Sequence, residues 1–305
     1  MSITVIGEAN IDISVKRHSA DIKGGCVPAN IHFHHGGVAR NIAHNLCLLG
    51  HKVRLMTVFG DDDFAKGLMD DCTKLGMDLS LSTQFKNAKS PVFLSFNDDT
   101  GNMQSALSDI ELNGRMDLNW IKSKIDDINR SERVVANTLL SAEALTCLID
   151  HSEVPLYIDA VSPKRAQRIA AALKDSRKKT FFALKCNQAE ALALTGTREV
   201  SEAVKQLNLS GIQEVFITLG SEGAVYGCGT EVVHLPALSA QVVNVTGSGD
   251  AFLAGVVHAH TVGCHGVHAL MVGLRMAQLN IESEAPVNPD ASGISLSETK
   301  ADTSH

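Results

Sequence analysis

Short apolar runs alternate with helical stretches along most of this chain, and no other feature constrains its fold as strongly. Residues 3–7 (ITVIG), 52–60 (KVRLMTVFG) and 214–220 (EVFITLG) each predict a buried strand that ends at glycine. Residues 37–50 and 64–76 carry apolar side chains at helical spacing and also end at glycine. Buried strands that alternate with helices predict an α/β fold: a doubly wound, mostly parallel sheet flanked by helices.

Two stretches interrupt this alternation and predict a small second sheet. Residues 13–35 lack a helical period, and residues 90–107 resemble two strands joined by the turn DDTG. We expect both stretches to form a β-sheet lid on a larger core. That core would comprise residues 1–12, 36–89 and 108–290. Residues 291–305 are polar and aperiodic, which predicts a disordered tail.

The composition argues against several classes of partner. With 27 Lys and Arg against 34 Asp and Glu, the net charge of −7 disfavours a surface that binds nucleic acid. No apolar run reaches the length of a membrane span, and the N-terminus lacks the features of a signal peptide. The seven cysteines contain no CxxC pair and suit neither a disulfide framework nor a zinc site. We therefore expect a cytoplasmic protein with reduced thiols.

The strongest local signal is NVTGSGD at residues 244–250, directly before a run of good helix formers. A glycine turn that opens a helix presents unpaired backbone N–H groups and partial positive charge, which suits a phosphate. Gly247 and Gly249 would let the backbone approach that anion closely. Asp250 would then suit a general base that takes the proton of an attacking hydroxyl. The alternative is that Asp250 only stabilises the first turn of the helix.

Further polar pairs stand where strands end and helices begin. Asn10 and Asp12 lie two residues apart, so their side chains share one side at the predicted carboxyl end of the first strand, where ligands bind. Asn187 and Glu190 lie three apart at a helix start. That second pair suits a hydrated Mg²⁺ beside phosphates or, alternatively, a simple helix cap. Two more glycine turns follow this pattern, in GGVARN (36–41) and TLGSEG (218–223).

In this order and separation the motifs resemble the ribokinase-like, PfkB-type family of carbohydrate kinases, from about residue 1 to about residue 290. The resemblance implies phosphorylation of a sugar hydroxyl by ATP with Mg²⁺, and a lid over the sugar site. It implies Asp250 as the catalytic base, with an anion hole formed by Gly247, Ser248 and Gly249. The substrate residues that it implies are Asn10, Asp12, Gly36, Gly37, Arg40 and Asn41. The ATP-site residues that it implies are Asn187, Thr218, Gly220, Gly223 and Asn280, with Glu190 holding Mg²⁺ through water.

A closer resemblance within the family is to the pseudouridine kinases. Three features carry it: Arg40 inside GGVARN, Asn244, and the pair of stretches FLSFNDDTGNMQSALSDIEL and YIDAVSPKRAQRI. It implies conversion of pseudouridine to pseudouridine 5′-phosphate. Arg40 would meet a ring carbonyl or a phosphate, or else be an ordinary charge on the helix surface. The alternatives are a kinase for ribose, adenosine or uridine, and a nucleoside-binding regulator without catalysis.

Three positions depart from the family pattern. Asn244 replaces an acid that belongs to a monovalent-cation loop in many relatives, so a requirement for K⁺ stays open. Cys186 stands where proline is usual, and Ser248 where alanine is frequent.

The histidine-rich stretches and the run DDD are interpreted as structural features of strands and helices. His32 and His34 alternate to one face of a predicted lid strand near the substrate, whereas His35 points the other way; the alternative for these three histidines is a structural zinc site. His258 and His260 fall on different faces of one helix, which argues against an ion shared by that pair. The run DDD at residues 61–63 serves as the start of a helix. Exposed lid strands could pair edge to edge in a homodimer.

Overall fold

Strands and helices alternate along the chain as the sequence predicts. The computed structural model describes residues 2–17, 26, 28–98 and 103–293. In chain order the strands are β1 (Ile3–Ile6), β2 (Asn10–Arg17), β3 (Ala29–Gly36), β4 (Val53–Met56), β5 (Val58–Phe59), β6 (Met77–Asp78), β7 (Thr83–Gln84), β8 (Val92–Asn97), β9 (Met103–Asp109), β10 (Arg133–Asn137), β11 (Leu156–Asp159), β12 (Phe181–Asn187), β13 (Ile212–Thr218), β14 (Ala224–Cys228) and β15 (Glu231–Leu235). The α-helices are α1 (Val38–Leu48), α2 (Asp63–Lys74), α3 (Leu118–Lys122), α4 (Ile125–Asn129), α5 (Ala142–His151), α6 (Pro163–Asp175), α7 (Gln188–Thr195), α8 (Val200–Leu209), α9 (Ser248–Thr261) and α10 (Val267–Ile281). Short 3-10 helices span Glu111–Arg115, Gly220–Glu222 and Pro289–Gly293.

The large sheet has the strand order β15-β14-β13-β12-β11-β10-β1-β4-β6. Its strands are parallel from β13 to β6, whereas β14 and β15 pair antiparallel at one edge. Strand β1 lies between β10 and β4, so the chain winds outward from it in both directions. The predicted doubly wound, mostly parallel α/β fold is confirmed.

Each face of this sheet buries its own hydrophobic layer, because successive side chains of a strand point to opposite faces. On β10, Val134 belongs to a cluster with residues of α5, α6 and α8. Its neighbour Val135 belongs to the other cluster, with residues of α1, α2, α9 and α10. Burial on both faces explains the continuous apolar runs of the central strands. Within the described residues, no helix combines the length and apolar character that a membrane crossing requires.

One predicted strand is divided in the structure. The sequence predicts a single strand over residues 52–60, and this prediction is wrong. Strand β4 ends at Met56, and β5 pairs with β7 instead of the large sheet. Between them the buried Thr57 donates its backbone N–H to Ser82 Oγ and accepts the backbone N–H of Thr83. An apolar run does not specify its partner strand, so the change of partner is invisible in the sequence.

The second sheet has the strand order β3-β2-β8-β9, in which only the central pair, β2 and β8, is parallel. The predicted small separate sheet is thus confirmed, with strands at Asn10–Arg17, Ala29–Gly36, Val92–Asn97 and Met103–Asp109. Most of the predicted DDTG turn lies outside the described residues. Of the predicted tail, residues 291–293 belong to the last 3-10 helix and residues 294–305 lie outside the described residues.

Asn10 and Asp12 lie on this second sheet and not at the end of β1, which corrects the sequence prediction. Strand β1 ends at Ile6, and β2 begins at Asn10 after a three-residue connection. The backbone N–H of Ile11 bonds to the carbonyl of Pro91, which sets β2 against β8. The Asn10 side chain nevertheless donates to Asp12 Oδ1, so the two share one side as predicted.

Helix α9 is held by apolar packing along its length. Phe216 of β13 is fully buried, and its ring centroid lies 6.2 Å from that of Phe252 on α9. A Cβ added at Gly255 would lie 2.8 Å from Met276 Cγ, so α9 and α10 approach too closely for a larger side chain. This packing fixes the position of the first turn of α9.

We predict that Phe216→Ala lowers the free energy of unfolding by about 3–5 kcal/mol, because it leaves a cavity between the large sheet and α9. Urea denaturation with linear extrapolation measures this. The control is Leu209→Ala at the exposed end of α8, where we expect a change within about 0.5 kcal/mol. Equal effects of both variants would contradict the central packing role of Phe216.

Candidate active site

The glycine turn at residues 244–250 opens α9, as the sequence predicts. Gly247 has a φ of 80° and is the N-cap, and Ser248 is the first helical residue. A Cβ at Gly249 would lie only 2.6 Å from Lys185 Nζ. The first turn of α9 therefore places backbone N–H groups next to a lysine ammonium, which is a setting that suits an anion.

Asp250 lies in this first turn and is 8% exposed. Burial and the nearby charge of Asp159 together raise the pKa of its carboxyl to about 8, against the opposing effects of Lys185 and a hydrogen bond from Asn41. Asn41 Nδ2 donates to Asp250 Oδ2 over 3.0 Å. A carboxyl with such a pKa can exchange a proton near neutral pH, which general-base chemistry requires.

Arg40 orients Asn41. Its guanidinium donates from Nη1 to Asn41 Oδ1 over 3.3 Å and from Nη2 to Asp71 Oδ2 over 2.8 Å. Since the Asn41 oxygen faces Arg40, its amide nitrogen faces Asp250. Arg40 is 6% exposed and His35 also contacts Asp71, over 3.1 Å. The buried guanidinium thus belongs to a network with the half-buried Asp71 and His35 and is not an ordinary surface charge.

Four other predicted substrate residues lie together. Asn10 and Gly36 are opposite each other in the β2–β3 register. A Cβ at Gly36 would lie 2.0 Å from Asp12 Oδ2, and one at Gly37 would lie 2.7 Å from Asn10 Oδ1. Burial raises the pKa of Asp12 to about 6, although the bond from Asn10 and the charge of Arg40 lower it. The double glycine therefore leaves room for two polar side chains at the start of α1.

Asn187 and Glu190 form a capping box at the start of α7. Asn187 Oδ1 accepts the Glu190 backbone N–H over 2.9 Å, and Glu190 Oε2 accepts the Asn187 backbone N–H over 2.8 Å. The prediction of a helix cap is thus confirmed by these two hydrogen bonds. In this capped arrangement the carboxylate of Glu190 lies close to Lys185. Burial raises the pKa of Glu190, and Lys185 lowers it. A buried carboxylate beside others suits a divalent cation.

The other predicted ATP-site residues occupy two places. Thr218 pairs with Asn187 in the β12–β13 register, and Gly220 opens the 3-10 helix that follows. Gly223 must be glycine for packing reasons, because a Cβ at this position would lie 2.0 Å from the carbonyl oxygen of Leu235.

Asn280 lies in the second place, on α10. It is 1% exposed, and its side chain donates to the carbonyl of Thr246 over 2.9 Å. This hydrogen bond joins α10 to the glycine turn before α9.

Asn244, at the start of that turn, is held on both sides. Its Nδ2 donates to the carbonyl of Glu284, and its Oδ1 accepts the backbone N–H of Thr246, each over 2.9 Å. The side chain therefore shapes the loop that leads to α9.

Comparisons with known proteins identify the family. The sequence model of the pfkB family carbohydrate kinases matches residues 1–292. The chain belongs to this family. It is 29% identical to the pseudouridine kinase of Escherichia coli (strain K12), over 95% of this chain and 93% of that protein. It is 24% identical to the guanosine-inosine kinase of Exiguobacterium acetylicum, over 90% of this chain and 92% of that protein. The crystal structure of the Thermotoga maritima ribokinase superposes with a TM-score of 0.81 at 20% identity, covering 98% of each chain.

Family membership establishes a phosphotransferase with a hydroxyl acceptor. The ribokinase superposition confirms the fold, including the small second sheet. ATP and a divalent metal are used by such kinases in general.

Lys185 lies at the candidate site next to Gly249, and the sequence reasoning did not single it out. Its side chain is 9% exposed, and Nζ contacts Asp159 Oδ2 over 3.1 Å. Burial alone would lower the pKa of Lys185, but Asp159, Glu190 and Asp250 raise it above its usual value, so the ammonium stays charged. Lys185 therefore lies close to both Glu190, the predicted Mg²⁺ residue, and Asp250, the predicted base.

Asp159 and Glu8 were missed as well. Asp159 ends β11 at the carboxyl edge of the sheet, so the rule that ligands bind at strand ends could have found it. Glu8 follows β1, is 7% exposed and accepts from Asn137 Nδ2 over 2.8 Å. Lys185 carries no comparable signal, because it lies two residues before Asn187 within an apolar strand.

The segment after Asp159 contains a backbone outlier. Val161 has a φ of 61°, which a β-branched residue rarely adopts. Its backbone N–H donates to Asp159 Oδ1 over 2.9 Å, while Oδ2 faces Lys185. The unusual turn thus fixes the Asp159 carboxylate, and it leads into α6, where Lys164 is exposed and Arg165 half-buried.

We predict that Glu190→Gln separates the cap of α7 from metal binding. Glutamine also serves as the third residue of a capping box, so the free energy of unfolding should change by less than about 1 kcal/mol. Loss of the charge should raise the Mg²⁺ concentration for half-maximal activity by about tenfold or more. The control is Glu143→Gln in the exposed first turn of α5, which should shift neither quantity. An unchanged Mg²⁺ dependence of the activity would show that Glu190 caps α7 and does not contribute to metal binding.

Proposed function

We propose that this chain is an ATP- and Mg²⁺-dependent kinase that phosphorylates the 5′-hydroxyl of a nucleoside, with pseudouridine as its preferred substrate. The observation that carries the chemistry is the buried Asp250 carboxyl in the first turn of α9, bonded by Asn41 and close to Lys185. The similarity to a pseudouridine kinase over nearly the full length of both chains supports the substrate.

In the proposed reaction Asp250 takes the proton of the 5′-hydroxyl. The hydroxyl oxygen bonds to the γ-phosphorus of ATP, and the bond from that phosphorus to the bridging oxygen of ADP breaks. Such transfers pass through a loose transition state whose charge spreads over the phosphoryl oxygens. The backbone N–H groups of residues 247–249 and the Lys185 ammonium would stabilise that charge.

The carboxylates around Lys185 suit Mg²⁺, because burial and the nearby Asp159 raise the pKa of both Glu190 and Asp250, and a divalent cation stabilises such buried acids in their charged form. When bound, Mg²⁺ neutralises charge on the phosphate oxygens. Asn187 and Glu190 would hold it through water. The capping box keeps both side chains in one orientation, so the site needs little rearrangement to bind the ion.

On the substrate side, Asp12 and Asn10 offer an acceptor and an amide to the ribosyl hydroxyls. Their bond to each other fixes both side chains before the nucleoside arrives. We assign Arg40 an indirect role, since it is ion-paired to Asp71 and orients Asn41. The second sheet would close over the ribose and exclude water, which otherwise hydrolyses ATP.

A different nucleoside is the second candidate substrate. The chain resembles a guanosine-inosine kinase over 90% of its length, at a lower identity of 24%. A regulator without catalysis is disfavoured, because the glycine turn, the buried base and the capping box are all present.

We predict that Asp250→Asn lowers kcat by roughly 10²–10⁴-fold, because it removes the proton acceptor. Asparagine keeps an oxygen for the bond from Asn41, so affinities for nucleoside and nucleotide should change little. Steady-state kinetics and calorimetric titration measure the two effects. Near-normal turnover would contradict the role of Asp250 as the base.

The same variant should be more stable than the parent, which shows that its inactivity does not come from misfolding. The Asp250 pKa rises from 3.8 to about 8 on folding, so between these pH values the unfolded state is ionised and the folded state protonated. The stability of the parent therefore falls as pH rises from 4 to 8 through this group. We expect the Tm advantage of the variant to widen over that range.

The substrate prediction is tested with pseudouridine, uridine, cytidine, guanosine, adenosine and ribose side by side, measured as ADP release. Pseudouridine presents a ring N–H that uridine lacks, and a site that bonds to this group discriminates strongly. We expect kcat/KM for pseudouridine to exceed that for uridine by at least about tenfold. Preference for guanosine or ribose would agree with kinase activity but contradict pseudouridine as the preferred substrate. Absence of turnover on all six would overturn the proposal that this chain phosphorylates a nucleoside.

A further inference from the structure

Three side chains with metal-ligand atoms converge at the far end of α9. Glu214 lies on β13, His260 in the last turn of α9, and His265 in the connection to α10. One ligand atom from each lies within 4.8 Å of the other two. His260 is ten residues beyond Asp250 on the same helix, about 15 Å at 1.5 Å per residue. The cluster is therefore separate from the active site.

The atoms that face one another in this cluster lack ordinary partners. His260 Nε2 and Glu214 Oε2 lie 3.2 Å apart. Both are buried atoms without a hydrogen-bond partner among the described residues. The residues are 1% and 8% exposed, so water does not replace the missing partner freely. The two atoms are within ion-pair distance, but a buried polar atom without a hydrogen-bond partner is costly, which calls for a further group in contact with both of them.

The spacing fits a metal ion. Zn²⁺ binds nitrogen and oxygen ligands at about 2.0–2.1 Å in tetrahedral geometry, which places two ligand atoms roughly 3.3 Å apart. The separation of 3.2 Å agrees with this value. In a metal site each ligand atom points at the ion and not at the other ligand. That arrangement explains why a short N···O distance occurs here without hydrogen-bond alignment.

Neighbouring groups hold the His260 ring in place. Tyr157 Oη lies 2.9 Å from His260 Nδ1, and Arg133 donates to that same oxygen over 3.1 Å. Arg133 also donates to the His260 backbone carbonyl over 2.7 Å. With Nε2 on an ion, Nδ1 carries the proton and donates to Tyr157, which is the usual outer support of a metal-bound histidine.

His265 supplies the adjustable ligand. Its ring stacks on that of His260 with centroids 5.1 Å apart and planes 21° apart, and it is exposed on a connection with glycines on both sides. The exposed ring can turn toward the ion, whereas the two buried ligands are fixed.

We propose that Glu214, His260 and His265 bind one Zn²⁺ ion, with water in the fourth position. Two histidines and one carboxylate form a donor set that zinc accepts. The ion would tie β13, the end of α9 and the α9–α10 connection together. The sequence argument against an ion shared by His258 and His260 still holds, because His258 instead contacts His51 over 2.8 Å. The partners of His260 come from the sheet and the following turn.

The test uses full-length protein stripped with a chelator and titrated with Zn²⁺ alone, without nucleotide, by calorimetry and thermal melting. The variant is His265→Ala, which alters an exposed ring and so preserves folding. Its matched control is His268→Ala, an exposed histidine three residues further along that is outside the cluster. Co²⁺ substitution, read by visible absorption, reports the ligand geometry.

We expect the parent and His268→Ala to bind one equivalent of Zn²⁺ with a rise in Tm. His265→Ala should bind about 100-fold more weakly or worse, since even the outer partners of metal ligands contribute about 10–100-fold. Glu214→Gln should lose the tetrahedral Co²⁺ spectrum. Equal Zn²⁺ binding by the parent and His265→Ala, equal loss in both histidine variants, or no binding by the parent would each overturn the proposal.

Discussion

The attraction between the buried ammonium of Lys185 and the acids around it is the interaction on which the arrangement of the candidate active site depends. The ammonium lies among Asp159, Glu190 and Asp250, three acids that come from a strand end, a helix cap and the first turn of α9. Without a cation, so many buried carboxyls would repel one another and be difficult to ionise. The pair with Asp159 is direct, at 3.1 Å. Removing one partner of such a pair leaves an uncompensated buried charge, so these residues depend on one another.

A second set of polar contacts links the substrate side to the same centre. Asp71, Arg40, Asn41 and Asp250 form a continuous chain of hydrogen bonds from α2 through α1 to α9. These hydrogen bonds fix the orientation of the Asn41 side-chain amide, which would otherwise be free to rotate. They also couple the proposed base to the helix that begins at the double glycine. The orientation of the proposed base is therefore set in part by residues that need not touch the substrate.

Helix α9 is fixed differently along its length. Apolar contacts with the sheet and with α10 hold its middle, whereas polar groups gather at its ends: Asp250 at the first turn and His260 near the last. Because a helix is stiff, restraints at its far end help to hold the first turn in place. The proposed zinc site would act as a restraint of that kind, without contact with the substrate.

The sequence by itself determined the fold class, since strand and helix periodicity is local and apolar runs report burial on both faces of the sheet. It also determined the glycine turn before Asp250, the Asn187–Glu190 pair and the helix start at Asp62, whose side chain accepts the Ala65 N–H. These features depend on neighbours within a few residues. Only the tertiary structure decided that residues 52–60 divide between two sheets, that Asn10 belongs to β2, and that Lys185 lies beside Gly249. Each of these results from pairing or packing between distant segments, and the residues involved carry no local pattern that specifies their partner.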